Sequence, residues 1–378
     1  MKAGAFIARR LRFKGKMAVV AIAVSFFVIL VAVAVASGYR VELGRGLADL
    51  SGDITVTNGP VNFLNEQYPV RSDNPSLRLV SEMEEVEQVR PAVYRYGIMK
   101  SEDRIQGVLV KGIESGGGKP LGVKVPRKLA RMLELEVGDA VPTYFVGDRV
   151  QVRKFTVEEI YDSIMDTPDN LVVLADIGDM RRLFGWDEGE SGALEIVLKP
   201  RFRDKKVTQA LSVYISDSTE LVSKTIYENY GNLFEWLNLI DANVLTILIL
   251  MVIVAGFNMI SGLLILLFRS ISTIGTLKAV GMTNLKVSLT FLRVSARAVA
   301  TGMLAGNALA VLCCIIQSRT HFLRLDPANY FVSFVPMNLE ITSVLAVDAL
   351  SFVAILALLF IPSMFIAGVD PAKTVRTK

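Results

Sequence analysis

The stretch ESGGGKP, residues 114–120, sets three glycines before a lysine, the raw material of a phosphate-binding loop. A nucleotide loop needs G-x-x-x-x-G-K-[ST], because backbone amides and the lysine cradle the phosphates while the hydroxyl holds magnesium. Here Ile113 stands where the first glycine should be and Pro120 where the hydroxyl should be, so the match fails. Zinc chemistry needs converging Cys and His ligands, and the chain has one histidine, His321, and two adjacent cysteines, Cys313 and Cys314, inside an apolar run. Neighbouring cysteines in such a run do not easily bridge each other and read as small packing residues. The acidic runs EMEEVEQ (82–88) and WDEGE (186–190) offer carboxylates for acid–base or metal work, but such runs more commonly form solvated faces. No catalytic residue, no metal site and no directly bound cofactor is expected.

The elements that carry these residues are set by the solvent. With 52% hydrophobic residues and a mean hydropathy of +0.45 the chain is too apolar for an ordinary soluble protein. Four stretches reach the roughly 20 apolar residues needed to cross a bilayer core: 17–39, 241–268, 298–318 and 343–367. The first follows a basic N-terminus, as a signal peptide would, but its apolar run is too long for one and three more spans follow, which predicts a retained helix.

Positive charge gives the orientation. Residues 1–16, 269–297 and 368–378 together hold 14 of the 41 basic residues and one of the 37 acidic residues, leaving an acidic excess of about nine elsewhere. The reading is a cytoplasmic N-terminus (1–16), a cytoplasmic loop (269–297) and a cytoplasmic tail (368–378), with 40–240 and 319–342 outside the membrane. Basic inner loops need no nucleic-acid partner. Residues 40–240 are enough for an independent α+β domain. Strands are expected at 53–58, 107–113 and 192–200, and in the pair AVPTYFV and RVQVRKFTVEEI around a turn at Gly147-Asp148. Helices are expected at 76–89 and 126–135 and after Asp176, which reads as an N-cap. A division into two lobes is placed near 114–120. From Leu221 to Phe268 the sequence reads as one long helix that Gly231 weakens, with VELGRGLADL (41–50) as a partner stalk. The fold class is therefore a multi-pass α-helical membrane protein of four transmembrane helices, with a large α+β extracytoplasmic domain between helices 1 and 2.

The inner loop opens RSISTIGTLKAVGMTN. Ile271, Ile274, Leu277 and Val280 recur every three residues, which marks one stripe of a helix, and Gly281 stands where a helix end needs positive φ. Periodicity alone fits a connector packed on lipid headgroups equally well. The residues themselves resemble the coupling helix of ATP-binding-cassette permeases of the four-span mechanotransmission type, with its I-G-x-L-[KR]-A-[ILV]-G pattern: Ile274, Gly275, Leu277, Lys278, Ala279, Val280 and Gly281 match in order. Thr273 departs from it, since the family commonly has an acidic residue there. The resemblance extends along nearly the whole chain. LDPANYFVSFVPMNL (325–339), 153–185 and the tail DPAKTVR are similar to the lipoprotein-releasing (LolC/LolE) branch.

The resemblance implies a permease subunit of the inner membrane without its own nucleotide site. Its ATP and magnesium would be held by a cytoplasmic ATPase dimer docked on Ile274, Leu277 and Val280. A second copy or a sister permease completes the complex. The implied work is extraction of acylated lipoproteins from lipid and delivery to a periplasmic carrier. Apolar residues of the first two spans, Phe26, Phe27, Met251, Phe257 and Met259, are candidates for the cavity, and Gly302-x-x-x-Gly306 for close helix packing. Asn258 and Asp348 are polar residues within spans. Tripartite efflux, regulation of a cell-wall hydrolase and a membrane sensor without ATP remain as alternatives.

Overall fold

The computed structural model describes residues 16–59, 68–71, 74–114, 120–145, 150–162, 171–219, 221–326 and 330–363. Two compact units result: Met1–Val41 with Trp236–Arg324 and Phe334–Lys378, and Glu42–Glu235 with Leu325–Ser333.

Helix α1 (Lys16–Ser51) continues past the predicted boundary at residue 39 through the whole VELGRGLADL stretch. It ends at Gly52, which takes φ +71° and donates its N–H to Ala48 O at 2.8 Å. At about 1.5 Å per residue its 36 residues exceed the thickness of a hydrocarbon core.

The second unit is built on strands β1 (Ile54–Thr57), β2 (Val70–Arg71), β3 (Val86–Ser101), β4 (Arg104–Ile113), β5 (Gly122–Pro126), β6 (Ala140–Phe145), β7 (Gln151–Tyr161), β8 (Val172–Asp176), β9 (Glu190–Ser191), β10 (Ala193–Leu198) and β11 (Val222–Thr225). Its helices are α2 (Pro75–Ser81), α3 (Arg127–Leu133), α4 (Ile177–Phe184), α5 (Lys205–Thr219) and α6 (Ile226–Asn229). The main sheet runs β11-β1-β10-β3-β4-β8-β5-β7-β6, and β6 pairs back onto β3 through Gly97↔Phe145, Ile98↔Tyr144 and Met99↔Thr143. Six strands thus close into a barrel, which removes the sheet edge at that end. Val108, Val110, Val123, Phe145, Phe155 and Val173 fill its core with Leu129 and Leu133 of α3 and Met180 of α4. The three-strand wing packs a second core, Ile54, Val56, Leu194, Ile196 and Leu198, under α2 and α5.

Three expectations change here. The helix predicted over 76–89 stops at Ser81, and Val86 begins β3. Glu82, Glu84, Glu85 and Glu87 would place negative charge at the negative end of a helix dipole, while Val86 and Val89 gain partners on β10. Two cores do exist, but they do not divide at 114–120, because Val110 and Val123 on either side share the barrel core. The division runs along β3, whose early residues Val86 and Val89 serve the wing and whose later residues Val93 and Met99 serve the barrel. The long helix expected from Leu221 is also interrupted. Val222–Thr225 pair with β1, and Thr225 and Glu228 form a reciprocal capping box that starts α6. The strands flanking Gly147-Asp148 pair antiparallel, while that turn itself lies outside the described residues. Asp176 caps α4 by accepting the Gly178 N–H at 2.8 Å.

Four further helices complete the first unit: α7 (Gly231–Arg269), α8 (Ile271–Ala279), α9 (Asn284–Thr320) and α10 (Ile341–Ser363). By length and composition α1, α7, α9 and α10 can each cross a membrane. The third span is longer than predicted, since 284–297 is helix rather than loop. Val287, Phe291, Val294 and Ala298 recur at helical spacing and are buried. They join Ile22, Phe26 and Ile29 of α1, Met259 and Leu263 of α7, and Ile355 and Leu359 of α10 in one core. The predicted end of the fourth span at 367 and the tail 368–378 lie outside the described residues.

Candidate functional site

Helix α8 is separated from α7 by Ser270 alone and turns sharply into α9. Its end is a Schellman closure: Met282 N–H donates to Leu277 O at 3.0 Å and Gly281 N–H to Lys278 O at 2.9 Å, with Gly281 at φ +88°. Leu277 and Met282 both pack against the core of the bundle. Ile274 is 1% exposed and Gly275 is buried, whereas Val280 is 82% exposed. The exposed residues of this segment are Ile271, Ser272, Thr273, Thr276, Ala279, Val280 and Gly281, and exposure continues into Leu285.

The apolar stripe predicted as a single docking knob is therefore divided. Ile274 and Leu277 fasten α8 to its own bundle, and Val280 points away. A three-residue step on a helix of 3.6 residues per turn falls about 60° short of a full turn, so two steps carry Val280 about 120° round from the buried Ile274. Lys278 is half-buried and Ala279 exposed.

The cavity candidates divide as well. Phe26 and Met259 are fully buried in the bundle's own core. Phe27 and Met251 are half-buried, and Phe257 is 66% exposed. On α9, a Cβ at Gly302 would lie 2.7 Å from Ile22 Cγ2, and one at Gly306 would lie 2.3 Å from Ala23 O. The two glycines thus let α9 lie directly on the backbone of α1. Asn307 Nδ2 donates to Asp348 Oδ2 at 2.5 Å, joining α9 to α10. Asn258 is half-buried on α7. His321 is exposed, ends α9 in the left-handed conformation and stacks on Phe334 at 4.0 Å.

Residues 245–371, which take in most of α7 and all of α8, α9 and α10, match the family model described as FtsX-like permease C-terminal. This stretch, about a third of the chain, is similar to an FtsX-like permease domain. The chain is 22% identical over 388 residues to the lipoprotein-releasing system transmembrane protein LolC of Xylella fastidiosa strain 9a5c. It is 23% identical over 393 residues to LolC of strain Temecula1 / ATCC 700964, and both alignments cover 95% of this chain and 92% of the relative. Among solved structures, the extracellular domain of the noncanonic ABC-type transporter YknZ from Gram-positive bacteria aligns with 46% of this chain and 98% of its own, at 9% identity and a TM-score of 0.30. The periplasmic region of MacB from Actinobacillus actinomycetemcomitans aligns with 48% and 92%, at 11% identity and a TM-score of 0.29. The chain thus resembles permease components of ABC transporters of the FtsX/LolC type, and four of its helices are long and apolar enough to cross a membrane.

Sequence reasoning missed a group of charged residues on the sheet, Arg90, Lys111 and Glu195. The available signal was a lysine and a glutamate standing inside the apolar strand runs GVLVKGI and GALEIVLK.

Proposed function

We propose that the permease draws acylated lipoproteins out of the outer leaflet of the inner membrane and passes them to a periplasmic carrier, driven by a separate ATPase. The observation that carries this reading is the end-to-end likeness to LolC, a lipoprotein-releasing system protein, which takes in the outer domain as well as the spans. The permease type implies both an ATPase partner and a partner permease. The ATPase, which would hold the ATP and magnesium, docks on the cytoplasmic side against the exposed face of α8 around Thr273, Thr276 and Val280. Apolar contact supplies most of that docking, because exposed ion pairs contribute little.

The N-terminus, the 269–283 segment and the tail are cytoplasmic in this reading, because basic residues are retained inside. The outer unit is then periplasmic. Rows of exposed apolar side chains on α7, including Ile249, Ile253 and Phe257, face lipid, the partner permease or the acyl chains of the cargo. Phe27 and Met251 are half-buried and Phe257 is exposed, so these three carry the cavity role in this reading while Phe26 and Met259 support it from the core. Removing acyl chains from lipid costs about 0.8 kcal/mol per methylene, which explains the need for ATP.

The test is the ATPase rate of the purified permease–ATPase complex in nanodiscs. Acylated lipoprotein is expected to stimulate it, and the deacylated form or an amphipathic drug is not. Stimulation by drugs alone would instead assign an efflux role.

A further inference from the structure

Strand β10 is buried along its whole length, yet Glu195 stands in the middle of it at 1% exposure. Its carboxylate faces away from the wing core formed by Leu194, Ile196 and Leu198. Lys111 Nζ of β4 reaches it at 2.6 Å and Arg90 Nη2 of β3 at 3.2 Å, and the Tyr94 hydroxyl donates to it. Both cations have a second set of bonds. Arg90 Nη2 donates to Ala48 O at 3.0 Å and Asp49 O at 3.2 Å, and Lys111 Nζ donates to Leu50 O. These three carbonyls belong to the last turn of α1, where intrahelical donors run out and the helix dipole is negative.

The chain leaves that turn against the same strand. Asp53 N–H donates to Ile196 O at 2.8 Å, the Asp53 carboxylate accepts the Leu198 N–H at 2.7 Å, and the Asp53 carbonyl accepts the Ile226 N–H at 3.0 Å. Ile226 opens α6, and Tyr230 directly precedes α7. Within the outer unit, the end of the first membrane helix and the approach to the second therefore meet on one patch of sheet.

A buried ion cluster is weak evidence for stability, because apolar residues of similar volume often hold a fold as well. What it adds is direction. Apolar packing is non-directional and tolerates sliding, whereas charge-assisted bonds to three consecutive carbonyls hold a helix end against rotation and slippage. We propose that Lys111, Arg90 and Glu195 form a joint that fixes the outer end of α1 to the sheet, so that displacement of the first membrane helix is passed to the outer domain. They are positioning residues for transport. The proposal rests on the ATP-driven permease reading and is indifferent to the cargo.

The experiment uses the full-length permease–ATPase complex, with Lys111→Met, Glu195→Gln and Lys111→Arg. Hydrogen exchange at residues 44–54 is expected to rise about tenfold in Lys111→Met, while barrel amides at 108–110 and 155–157 keep their protection. ATPase turnover stays within about twofold of the parent while acylated lipoprotein released per ATP falls about tenfold, and Lys111→Arg restores both measures. Glu195→Gln, which keeps the shape and one acceptor, shows the same pattern if Lys111→Met fails to fold. Unchanged exchange at 44–54, or release and ATPase falling in proportion, overturns the joint. A parent complex that releases no lipoprotein overturns the cargo reading instead, and the exchange pattern at 44–54 then decides the joint alone.

Discussion

Gly52 has both a backbone and a spatial reason to be glycine. Its φ of +71° is one that side chains disfavour, and a Cβ there would stand 2.9 Å from Glu195 Cβ. Gly52→Ala is expected to cost about 1–3 kcal/mol, measured as a lower Tm of the full-length protein in detergent. Gly44→Ala, at a helical position with open space around it, is expected to leave Tm unchanged or raise it, since alanine is the better helix former. Asp53, in the same turn, makes a pH prediction. Burial pushes its carboxyl above the ordinary 3.8, and the Leu198 amide and Arg203 pull it back only in part. A carboxyl raised in this way binds its proton more tightly in the folded state. Its contribution to stability is therefore full below the unfolded value and is lost as pH rises through the folded one. Asp53→Asn, which keeps an acceptor for the Leu198 N–H, should flatten that slope on the alkaline side of pH 3.8, read as Tm against pH. The need for glycine at 52 was not legible, because the sequence does not show that residue 195 lies behind it.

At the scale of elements, α8 buries one part of its apolar stripe and exposes another. Ile274→Asp places a carboxylate in the membrane core without a partner and is expected to abolish folded protein, judged by a monodisperse elution peak. Val280→Asp changes an exposed position. The permease should fold normally and lose its ATPase during co-purification, and retention of the ATPase would remove Val280 from the docking face. The presence of this helix was readable from its period and from the glycine that ends it. Its inward face was not, because a stripe spaced by three winds around a helix and only the neighbouring helices select which part is covered. The α9–α10 contact follows similar logic. Asn307→Leu leaves Asp348 without its bond across the two helices, at an expected cost of about 1–2 kcal/mol, measured by thermal aggregation in detergent. Gly306→Leu, which meets Ala23 O, should be far more damaging than that loss.

For the molecule as a whole, the strongest expectation concerns sidedness. Val280 and Val150 are both exposed, and the distribution of basic residues assigns them to opposite compartments. In intact cells a membrane-impermeant thiol reagent should label Val150→Cys and spare Val280→Cys, with the reverse in inverted vesicles. Labelling of both from one side would overturn the orientation.

Four apolar runs, the 200-residue insertion between the first two and the short helix after the second were all determined by the sequence alone. Each follows from local composition, since about 20 consecutive apolar residues are stable only in lipid and a polar insert of that length must fold outside it. Closure of the barrel, the meeting of α1 with α9 and the charged joint were decided only in three dimensions. They pair Gly97 with Phe145, Ala23 with Gly306 and Lys111 with Glu195. Partners so far apart along the chain leave no trace in any local period, because each half of such a contact is an ordinary strand or helix residue until the other half arrives.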